Sequence, residues 1–514
     1  MDERRAIAVP IAHTSVEKVI AACSAAEKVA DWIELRLDYL EEVTRDFIGS
    51  IVRSFAQLTR KPMIFTYRPI TDGGRAPADL GHRTDIWRAI FSSVQRQENQ
   101  SNILFDLELD LAEHLAQHAM LCPWTQVIAS FHAFDSLPDE LETIYLRMAA
   151  SPARILKIAV QANDVHQVAS IFRLLERARR DRRALVALAM GMPGIISRIL
   201  GPAYGSLLTF GALSSDGRTA PGQPLVRHLK EIYRVNQLSR STAVYGVVGK
   251  PIGHSLSPLI HNAWIHQAGC DAVYVPFEVS DLQTFIREIV LPGSRRVPWQ
   301  VKGLSVTLPH KVAIVDHLDA IDPLASRVGA VNTVVVQRGN LIGFNTDVTG
   351  LLQPLLSRMD VKNARVIIVG TGGAARAAAV GLAERGARLR IVGRNEKHIR
   401  ALTEQVGAEA SFVHELPTLS GDILIHATPV GMAGYQAGAI IPTETLEKVR
   451  LVYDLVYNPI ETDLLRRARE VGCDTLSGLE MFLHQAAEQF FLWFGSRPSI
   501  ERGETIAQVE LQHS

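Results

Sequence analysis

Eight short apolar segments recur in the first 236 residues of this 514-residue chain, and polar stretches of helix length separate them. They lie near residues 6, 32, 62, 103, 126, 154, 184 and 206, and many are rich in β-branched side chains. Eight strands that alternate with helices within about 250 residues are typical of a closed (β/α)8 barrel, whereas a doubly wound sheet usually has about five or six strands. The sequence therefore predicts an α/β fold that begins with a TIM barrel.

The rest of the chain predicts two further domains. A polar stretch precedes a new strand-like segment, AVYGVVG, and strand-like and amphipathic segments follow up to residue 345. After Arg365, apolar strands alternate regularly with helices, which is typical of a nucleotide-binding parallel sheet. We expect a barrel at 1–236, a linker at 237–242, a small α/β domain at 243–345 that the C-terminal helices at 478–514 complete, and a Rossmann domain at 346–477.

Charge and cysteine content exclude several classes of protein. The chain has 54 Lys and Arg and 54 Asp and Glu, so it has no basic excess for nucleic acid or an anionic membrane. Its 4 cysteines are scattered without a C-x-x-C pair, which indicates neither a disulfide framework nor a metal site. No apolar run approaches the roughly 18 residues of a membrane span. We expect a cytoplasmic protein with small-molecule partners; its oligomeric state stays open.

Charged residues occur in the predicted barrel strands, mostly toward their C-terminal ends. Because that end of a TIM barrel holds the active site, the charges are expected to converge on one pocket, although ion pairs that brace the barrel mouth are the alternative. These residues are Glu34, Arg36, Asp38, Arg68, Asp106, Glu108, His132 and Lys157.

Lys157 stands alone in an apolar strand, RILKIAV. Desolvation there favours the neutral amine, which attacks carbonyls to form imines. His132, at the end of the preceding predicted strand, is the candidate base and acid because imidazole ordinarily titrates near neutrality.

Seven motifs of the first half occur in an order that resembles type I 3-dehydroquinate dehydratases. They are IELRLDYL, TYRPITDGG, SFHAF, ILKIAV, MGMPGIISR, GSLLTFGAL and TAPGQ, over roughly the first 225 residues. The resemblance implies that Lys157 forms a Schiff base, that His132 is the general acid and base, and that Arg198 faces the substrate carboxylate. The substrate-binding residues that it implies are Glu34, Arg36, Arg68, Arg198, Thr219 and Gln223.

Two positions depart from that family's pattern. Asp72 stands where the family has a glutamate that helps to orient the catalytic histidine, and Thr219 stands where serine is usual. Threonine keeps the hydroxyl. Asp72 keeps the charge but is one methylene shorter, so we expect a longer or water-bridged contact with His132 and count Asp72 among the catalytic residues.

A dinucleotide-binding pattern opens the predicted Rossmann domain. VIIVGTGGAARAA provides a strand, Gly370, Gly372 and Gly373, and then a helix start, where backbone N–H groups and the helix dipole bind a pyrophosphate. The next strand ends in Arg394, where enzymes that use NAD place an acidic residue. An arginine there favours the 2′-phosphate of NADP; the alternative is an exposed arginine at a strand end.

Residues 244–495 carry motifs that resemble shikimate dehydrogenases. They are GHSLSP, SVTLPHK, VNTV, GFNTD, ATPVGM, YDLVYNPIETDLL and GLEMFLHQA. The resemblance implies that Lys311 and Asp347 are the catalytic pair. It implies ring-binding roles for Ser255, Ser257, Thr307, Asn332, Tyr457 and Gln485. It implies contacts with NADP for Gly370, Gly372, Gly373, Ala374, Arg394, Thr428, Leu455 and Gly478. Ser305 departs from the pattern, since that family has asparagine there, and GRN replaces the usual NRT around Arg394.

The two resemblances imply consecutive reactions. The first is dehydration of 3-dehydroquinate to 3-dehydroshikimate, and the second is its NADPH-dependent reduction to shikimate. One alternative is a catabolic quinate/shikimate dehydrogenase fusion that uses NAD, which Arg394 disfavours. The other is a metabolite-sensing regulator without catalysis, which the presence of Lys157, His132, Lys311 and Asp347 disfavours.

Overall fold

The computed structural model describes residues 5–41, 43–94, 102–118, 120–434 and 440–512. The chain divides into two compact units. The first comprises Met1–Val244 and Asp271–Gln300, and the second comprises Tyr245–Cys270 and Val301–Ser514. None of the helices in the described ranges is both long and apolar enough to cross a membrane.

Eight parallel strands form the predicted barrel in the first unit, and the TIM barrel is confirmed. Strands β1 to β7 pair in chain order, and β8 pairs with β1. A bridge between Leu185 and Ser206 brings the last two strands together. The strands are β1 (Ala6–Ile11), β2 (Trp32–Arg36), β3 (Met63–Thr66), β4 (Ile103–Glu108), β5 (Val127–Ala133), β6 (Ile155–Gln161), β7 (Ala184–Met190) and β8 (Leu208–Phe210).

Helices follow the barrel strands and bury one apolar face. The side chains of Ser15 and Thr44 accept backbone N–H bonds at the starts of the first two helices, which is how N-caps favour a helix start. The helices are α1 (Val16–Val29), α2 (Arg45–Phe55), α3 (Leu80–Val94), α4 (Leu109–Gln117), α5 (Leu141–Ala150), α6 (Val168–Arg180) and α7 (Ile195–Leu200). Apolar side chains such as Ile64, Ile128 and Val186 form a core cluster of the barrel strands.

Residues Asp271–Gln300 belong to the same compact unit as the barrel. The Asp164 carboxylate accepts hydrogen bonds from the backbone N–H of Ser280 at 2.7 Å and of Asp281 at 3.1 Å. The rings of Trp299 and Phe172 lie edge to face with centroids 4.2 Å apart. This segment contains strand β10 (Ala272–Glu278) and helix α9 (Leu282–Phe285).

The second unit contains a mixed sheet. Strands β9 (Ala243–Gly249), β11 (Val301–Val306), β13 (Thr333–Gln337), β14 (Asn340–Phe344) and β12 (Ala320–Ile321) are neighbours in that order. The strand pairs β11–β13 and β13–β14 are antiparallel. The helices of this part are α8 (Ser257–Gln267), α10 (Pro323–Val328) and α11 (Asp347–Leu356).

A parallel sheet confirms the predicted Rossmann fold. Its order is β17-β16-β15-β18-β19-β20, so the order reverses beside β15, where dinucleotides bind in such sheets. The strands are β15 (Arg365–Val369), β16 (Arg388–Gly393), β17 (Glu409–Phe412), β18 (Ile423–His426), β19 (Leu451–Asp454) and β20 (Asp474–Leu476). The helices are α12 (Gly373–Ala383), α13 (Glu396–Val406), α14 (Thr443–Leu446), α15 (Asp463–Glu470), α16 (Gly478–Phe494) and α17 (Ile500–Gln512).

Candidate active sites

Lys157 of β6 lies between two carboxylates inside the barrel. Its Nζ is 2.8 Å from Asp106 Oδ2 and 3.3 Å from Glu34 Oε1, and it lies 4.5 Å from the ring centroid of Phe210. Burial alone would raise the pKa of Asp106, but Arg68 and Lys157 outweigh burial and hold that pKa well below its usual range. Lys157 therefore lies in a charged pocket although its own strand is apolar. The acids come from strands β2 and β4, so the sequence around Lys157 does not reveal them.

Arg68 connects these acids to the candidate histidine. Its guanidinium lies 3.1 Å from Asp106 and 3.2 Å from Glu108, and it donates to Ser130 Oγ at 2.8 Å. Nη1 also lies 2.9 Å from Nδ1 of His132. Because arginine only donates, Nδ1 accepts this bond, which leaves a neutral imidazole with its proton on Nε2.

The pKa of His132 lies away from neutrality, in contrast to the expectation from a free imidazole. Burial of the ring is the largest cause that lowers this pKa, and the positive charges of Arg68 and Lys157 lower it further. The pKa of His132 therefore lies well below 6.5. The nearby carboxylate of Asp106 opposes the shift without cancelling it. The neutral form of His132 therefore predominates over the physiological pH range.

Asp72, the expected partner of His132, lies in a short helix after β3. In the part of the chain that the structure describes, no hydrogen bond joins the two side chains, and Arg68 contacts Nδ1 instead. Burial raises the pKa of Asp72, and the charge of Arg68 opposes that rise. Arg68 thus contacts His132 directly where Asp72 was expected to help orient it, and the catalytic role of Asp72 stays a prediction.

The 9 barrel residues predicted as site residues all line one cavity. The cavity encloses an empty volume of about 470 Å³, part of which is open to solvent. These residues are Glu34, Arg36, Arg68, Asp72, His132, Lys157, Arg198, Thr219 and Gln223. Their convergence from separate strands and loops is what the barrel topology predicts.

Arg198 is an uncompensated cation in this cavity. It lies in α7 with only 1% of its surface exposed, and its Nε and Nη2 have no hydrogen-bond partner among the described residues. Burial lowers its pKa to about 10. A buried guanidinium without a counterion is unfavourable, so the cavity is suited to an anion that would complete it.

Lys311 and Asp347 form the centre of a second site, in the second unit. Lys311 Nζ lies 2.6 Å from Asp347 Oδ2, and Asn332 Nδ2 donates to Asp347 Oδ1 at 2.7 Å. Asn332 also lies 3.5 Å from Gln485 Oε1, which brings α16 to the site. Each carboxylate oxygen of Asp347 therefore has its own donor, and the lysine is held at one of them.

The other ring-binding candidates lie on neighbouring elements of the same unit. Thr307 follows β11 and its N–H donates to Val248 O of β9 at 2.9 Å; Ser255 Oγ, after β9, accepts the N–H of Ser257 at 3.3 Å. The Tyr457 ring stacks on Phe482 with centroids 5.2 Å apart, and burial raises the pKa of Tyr457. Side-chain hydrogen bonds thus connect four of the candidates, Lys311, Asp347, Asn332 and Gln485. The roles of all eight candidates stay predictions.

Sequence reasoning missed Gln489. Ser305, where the related motif has asparagine, donates to Gln489 Oε1 at 2.7 Å, and Gln489 Nε2 donates to Asn332 O at 3.2 Å and to Thr333 Oγ1 at 3.1 Å. Gln489 lies one helical turn after Gln485 on α16, and that spacing was the available signal. Ser305 therefore supports Asn332 through Gln489.

The glycine-rich turn after β15 fits a dinucleotide. Gly370 has a φ of +130°, and a Cβ there would lie 2.6 Å from Ala427 O. Gly372 caps α12, and a Cβ on Gly372 or Gly373 would meet no atom within 4 Å, so this helix start is open to a ligand phosphate. Ala374 lies in the same first turn.

The remaining cofactor candidates surround this turn at the carboxyl edge of the sheet. Arg394 follows β16 and is exposed, and within the described ranges its guanidinium has no hydrogen bond or ion pair. Thr428 follows β18 and Leu455 follows β19. A Cβ on Gly478 would lie 2.4 Å from Leu455 O, so the start of α16 packs directly on that loop. These residues fit NADP.

Family models match both halves of the chain. Residues 7–240 match type I 3-dehydroquinase. Residues 247–334 match the shikimate dehydrogenase substrate binding domain, 353–451 match shikimate/quinate 5-dehydrogenase, and 478–505 match the shikimate 5′-dehydrogenase C-terminal domain. The bifunctional 3-dehydroquinate dehydratase/shikimate dehydrogenase of Arabidopsis thaliana is 32% identical over 514 residues, which cover 95% of this chain and 82% of the relative. The chain belongs to this bifunctional family.

Two further relatives agree with this assignment. The shikimate biosynthesis protein AroDE of Chlamydia pneumoniae is 30% identical over 471 residues, 91% of this chain and 90% of its own length. The shikimate dehydrogenase (NADP(+)) of Pyrococcus abyssi is 38% identical over 260 residues, 50% of this chain and 94% of its own length. Both predicted resemblances are confirmed.

Proposed function

We propose that this chain removes water from 3-dehydroquinate in the barrel and reduces the resulting 3-dehydroshikimate to shikimate with NADPH at the second site. The observation that carries the first step is that Lys157, His132 and the unpaired Arg198 line one cavity. The Lys311–Asp347–Asn332 contacts carry the second. We assign the dehydratase to 1–236, the linker to 237–242, substrate binding to 243–345 with 478–514, and NADP binding to 346–477. A cytoplasmic location stays a prediction.

Lys157 begins the dehydration as the nucleophile. Its amine, after passing a proton to Glu34, the carboxylate that Arg68 does not pair with, adds to the ketone carbon, and the carbonyl oxygen leaves as water. The protonated imine withdraws electrons and acidifies the neighbouring C–H. Arg198 pairs with the substrate carboxylate and so fixes which carbon faces His132.

His132 then transfers the proton. In the resting site Arg68 donates to Nδ1, so for His132 to accept a proton Arg68 must release that nitrogen. A substrate hydroxyl or carboxylate that attracts the guanidinium would provide this release. The imidazolium next donates its proton to the departing hydroxyl, which leaves as the second water. One water finally hydrolyses the imine and frees Lys157.

Lys311 provides the proton in the reduction. NADPH supplies the hydride when it is bound along the Rossmann sheet. The ammonium of Lys311 donates to the carbonyl oxygen as that oxygen becomes a hydroxyl, and Asp347 holds the ammonium in place at 2.6 Å. Asn332 fixes the other oxygen of Asp347 and orients it toward a ring hydroxyl.

A coupled assay tests the proposed function. The purified chain, given 3-dehydroquinate and NADPH, is expected to form shikimate and to oxidise one NADPH for each shikimate. Quinate with NAD+ and 3-dehydroquinate with NADH, supplied in parallel reactions, distinguish the catabolic alternative. Failure to form any product from 3-dehydroquinate, with no binding of substrate or NADPH, would contradict the proposal and favour a protein without catalysis.

Replacing Arg394 by glutamine is expected to raise the KM for NADPH by about tenfold to a hundredfold and to leave the KM for NADH nearly unchanged. A charge-assisted bidentate bond to the 2′-phosphate contributes roughly 1.5–3 kcal/mol, and NADH lacks that phosphate. Initial rates of 3-dehydroshikimate reduction with each cofactor measure the effect. Arg400→Gln, at an exposed arginine on α13, is the matched control. Equal changes in the KM for both cofactors would show that Arg394 does not bind the 2′-phosphate.

A further inference from the structure

A continuous hydrogen-bonded chain of side chains runs behind the cofactor candidates of the Rossmann sheet. Thr462, the N-cap of α15, donates to Asp454 Oδ2 at 2.6 Å. Asp454 Oδ1, at the end of β19, lies 2.9 Å from His426 Nδ1. His426 Nε2, at the end of β18, lies 2.5 Å from Thr428 Oγ1. We refer to Thr462, Asp454, His426 and Thr428 as the β18–β19 relay.

Three of the four relay residues are buried, Thr428 is half-buried, and each of the polar side-chain atoms is used. His426 is 3% exposed and Asp454 is 1% exposed. Asp454 Oδ1 also accepts the N–H of Val456 at 3.1 Å, and Thr428 Oγ1 accepts the N–H of Val430 at 3.4 Å. Buried polar groups that are fully paired fix a single conformation, because any alternative leaves one of them without a partner.

With a neutral imidazole at His426, one assignment of protons satisfies the whole relay. A carboxylate at Asp454 accepts from Thr462, from Val456 N–H and from an Nδ1–H on His426. Nε2 is then an acceptor, and the hydroxyl of Thr428 donates to it while accepting from Val430 N–H. The imidazole is therefore a rigid spacer between a strand-end carboxylate and the loop after the neighbouring strand, and the direction of the Thr428 hydroxyl depends on it.

The loop at 427–428, which the relay holds, also packs against the glycine-rich turn after β15. A Cβ on Gly370 would lie 2.6 Å from Ala427 O and 3.4 Å from Thr428 Cγ2, so the 427–428 segment touches the turn on which a pyrophosphate is expected to lie. The N–H of Leu455, another cofactor candidate, donates to His426 O at 3.0 Å. Both loops thus meet at His426, although His426 itself is too buried to contact a cofactor.

We propose that His426 is a positioning residue for NADPH, which sets the place of the Thr428 loop through the β18–β19 relay. The proposal rests on NADPH binding at this edge of the sheet, as proposed above. Since the cofactor contacts the loops and not the imidazole, loss of the relay is expected to act on cofactor affinity far more than on the chemical step at Lys311.

His426→Ala is expected to raise both the KM and the fluorescence-measured Kd for NADPH about tenfold, and to leave kcat at saturating NADPH within about twofold. His426→Gln provides the conservative rescue, since its amide can donate to Asp454 and accept from Thr428 at the same time; His426→Asn is too short to do both. We expect Gln to recover most of the affinity and Asn to recover little. Dehydratase turnover and the melting temperature report whether each variant is folded.

A double-mutant cycle with Thr428 tests the route of the effect. Thr428→Val removes the hydroxyl that the imidazole holds, and Thr428→Ser keeps it. The His426 substitution is expected to weaken NADPH binding when Thr428 is present, and this effect is expected to largely disappear in the Thr428→Val background, because coupled residues are not additive. If the His426→Ala protein unfolds, the test uses the other variants. The Kd for NADPH is then compared between His426→Gln and His426→Asn, and between Thr428→Ser and Thr428→Val.

The outcomes separate this inference from the proposed function. Wild-type protein that binds no NADPH would overturn the proposed reduction. Wild-type protein that binds NADPH, with an unchanged KM in His426→Asn and Thr428→Val, would overturn only the role of His426. A fall in kcat without a rise in KM, or fully additive effects of the two substitutions, would likewise show that the relay does not position the cofactor.

Discussion

Replacing Lys157 by alanine is expected to abolish the dehydration of 3-dehydroquinate and to leave reduction of added 3-dehydroshikimate at the wild-type rate. Without the amine no imine forms, so the C–H beside the carbonyl is not acidified. The rise in enone absorbance measures dehydration, and oxidation of NADPH measures reduction. Borohydride added with substrate is expected to trap an adduct that peptide mapping locates on Lys157 in the wild type.

The control for this substitution must distinguish the loss of the nucleophile from the loss of the positive charge. Alanine also leaves Asp106 and Glu34 without the cation that lies between them, and breaking a buried ion pair destabilises a protein by about 3–5 kcal/mol. Lys157→Arg keeps a cation there but forms no imine, so it is expected to be folded and equally inactive. Dehydratase activity in Lys157→Arg, or an adduct on another residue, would contradict the Schiff-base mechanism.

Replacing Lys311 by alanine is expected to lower kcat for reduction by about 10²–10⁴-fold, which is the usual contribution of a positioned proton donor. Dehydration should continue, because Lys311 and Lys157 belong to different compact units and sites that share no partners act independently. Given 3-dehydroquinate and NADPH, this variant is therefore expected to accumulate 3-dehydroshikimate without oxidising NADPH. A mixture with Lys157→Ala should restore shikimate formation through the free intermediate.

Lys302→Ala provides the matched control for this second substitution, since Lys302 is an exposed lysine on the neighbouring part of β11. It is expected to keep both activities. Loss of dehydration in a folded Lys311→Ala protein would show that the two reactions depend on each other, and the assignment of two independent sites would then be wrong.

The architecture was predictable because it follows from the spacing of the apolar segments along the sequence. Eight strand-helix units predicted the barrel, and the alternation after Arg365 predicted the parallel sheet. Residues such as Lys157 and His132 were placed in one cavity by the same logic, since the C-terminal ends of barrel strands meet, whereas Arg198 was expected there only from the resemblance. In the second half, motif order was sufficient to select Lys311 and Asp347 as neighbours.

Contacts between side chains from distant elements were not predictable in this way. Whether Arg68 or Asp72 reaches Nδ1 of His132 depends on side-chain length and on the competing acids at β4, which no motif encodes. The pKa of His132 depends on the same cations. Gln489 was not predicted because a glutamine on an amphipathic helix is ordinarily a surface residue. Only the fold places its side chain in contact with Asn332.

Separation of the two halves at the polar stretch 237–242 would remove from the barrel a segment that packs in the same compact unit, because Asp271–Gln300 belongs to that unit although its sequence matches the dehydrogenase. Trp299, which is only 1% exposed, would no longer cover Phe172, and Asp164 would lose two backbone donors. Exposed aromatic surface of this kind promotes association. A barrel separated from the rest of the chain at that point is therefore expected to need a polar substitution at Phe172 to stay monodisperse.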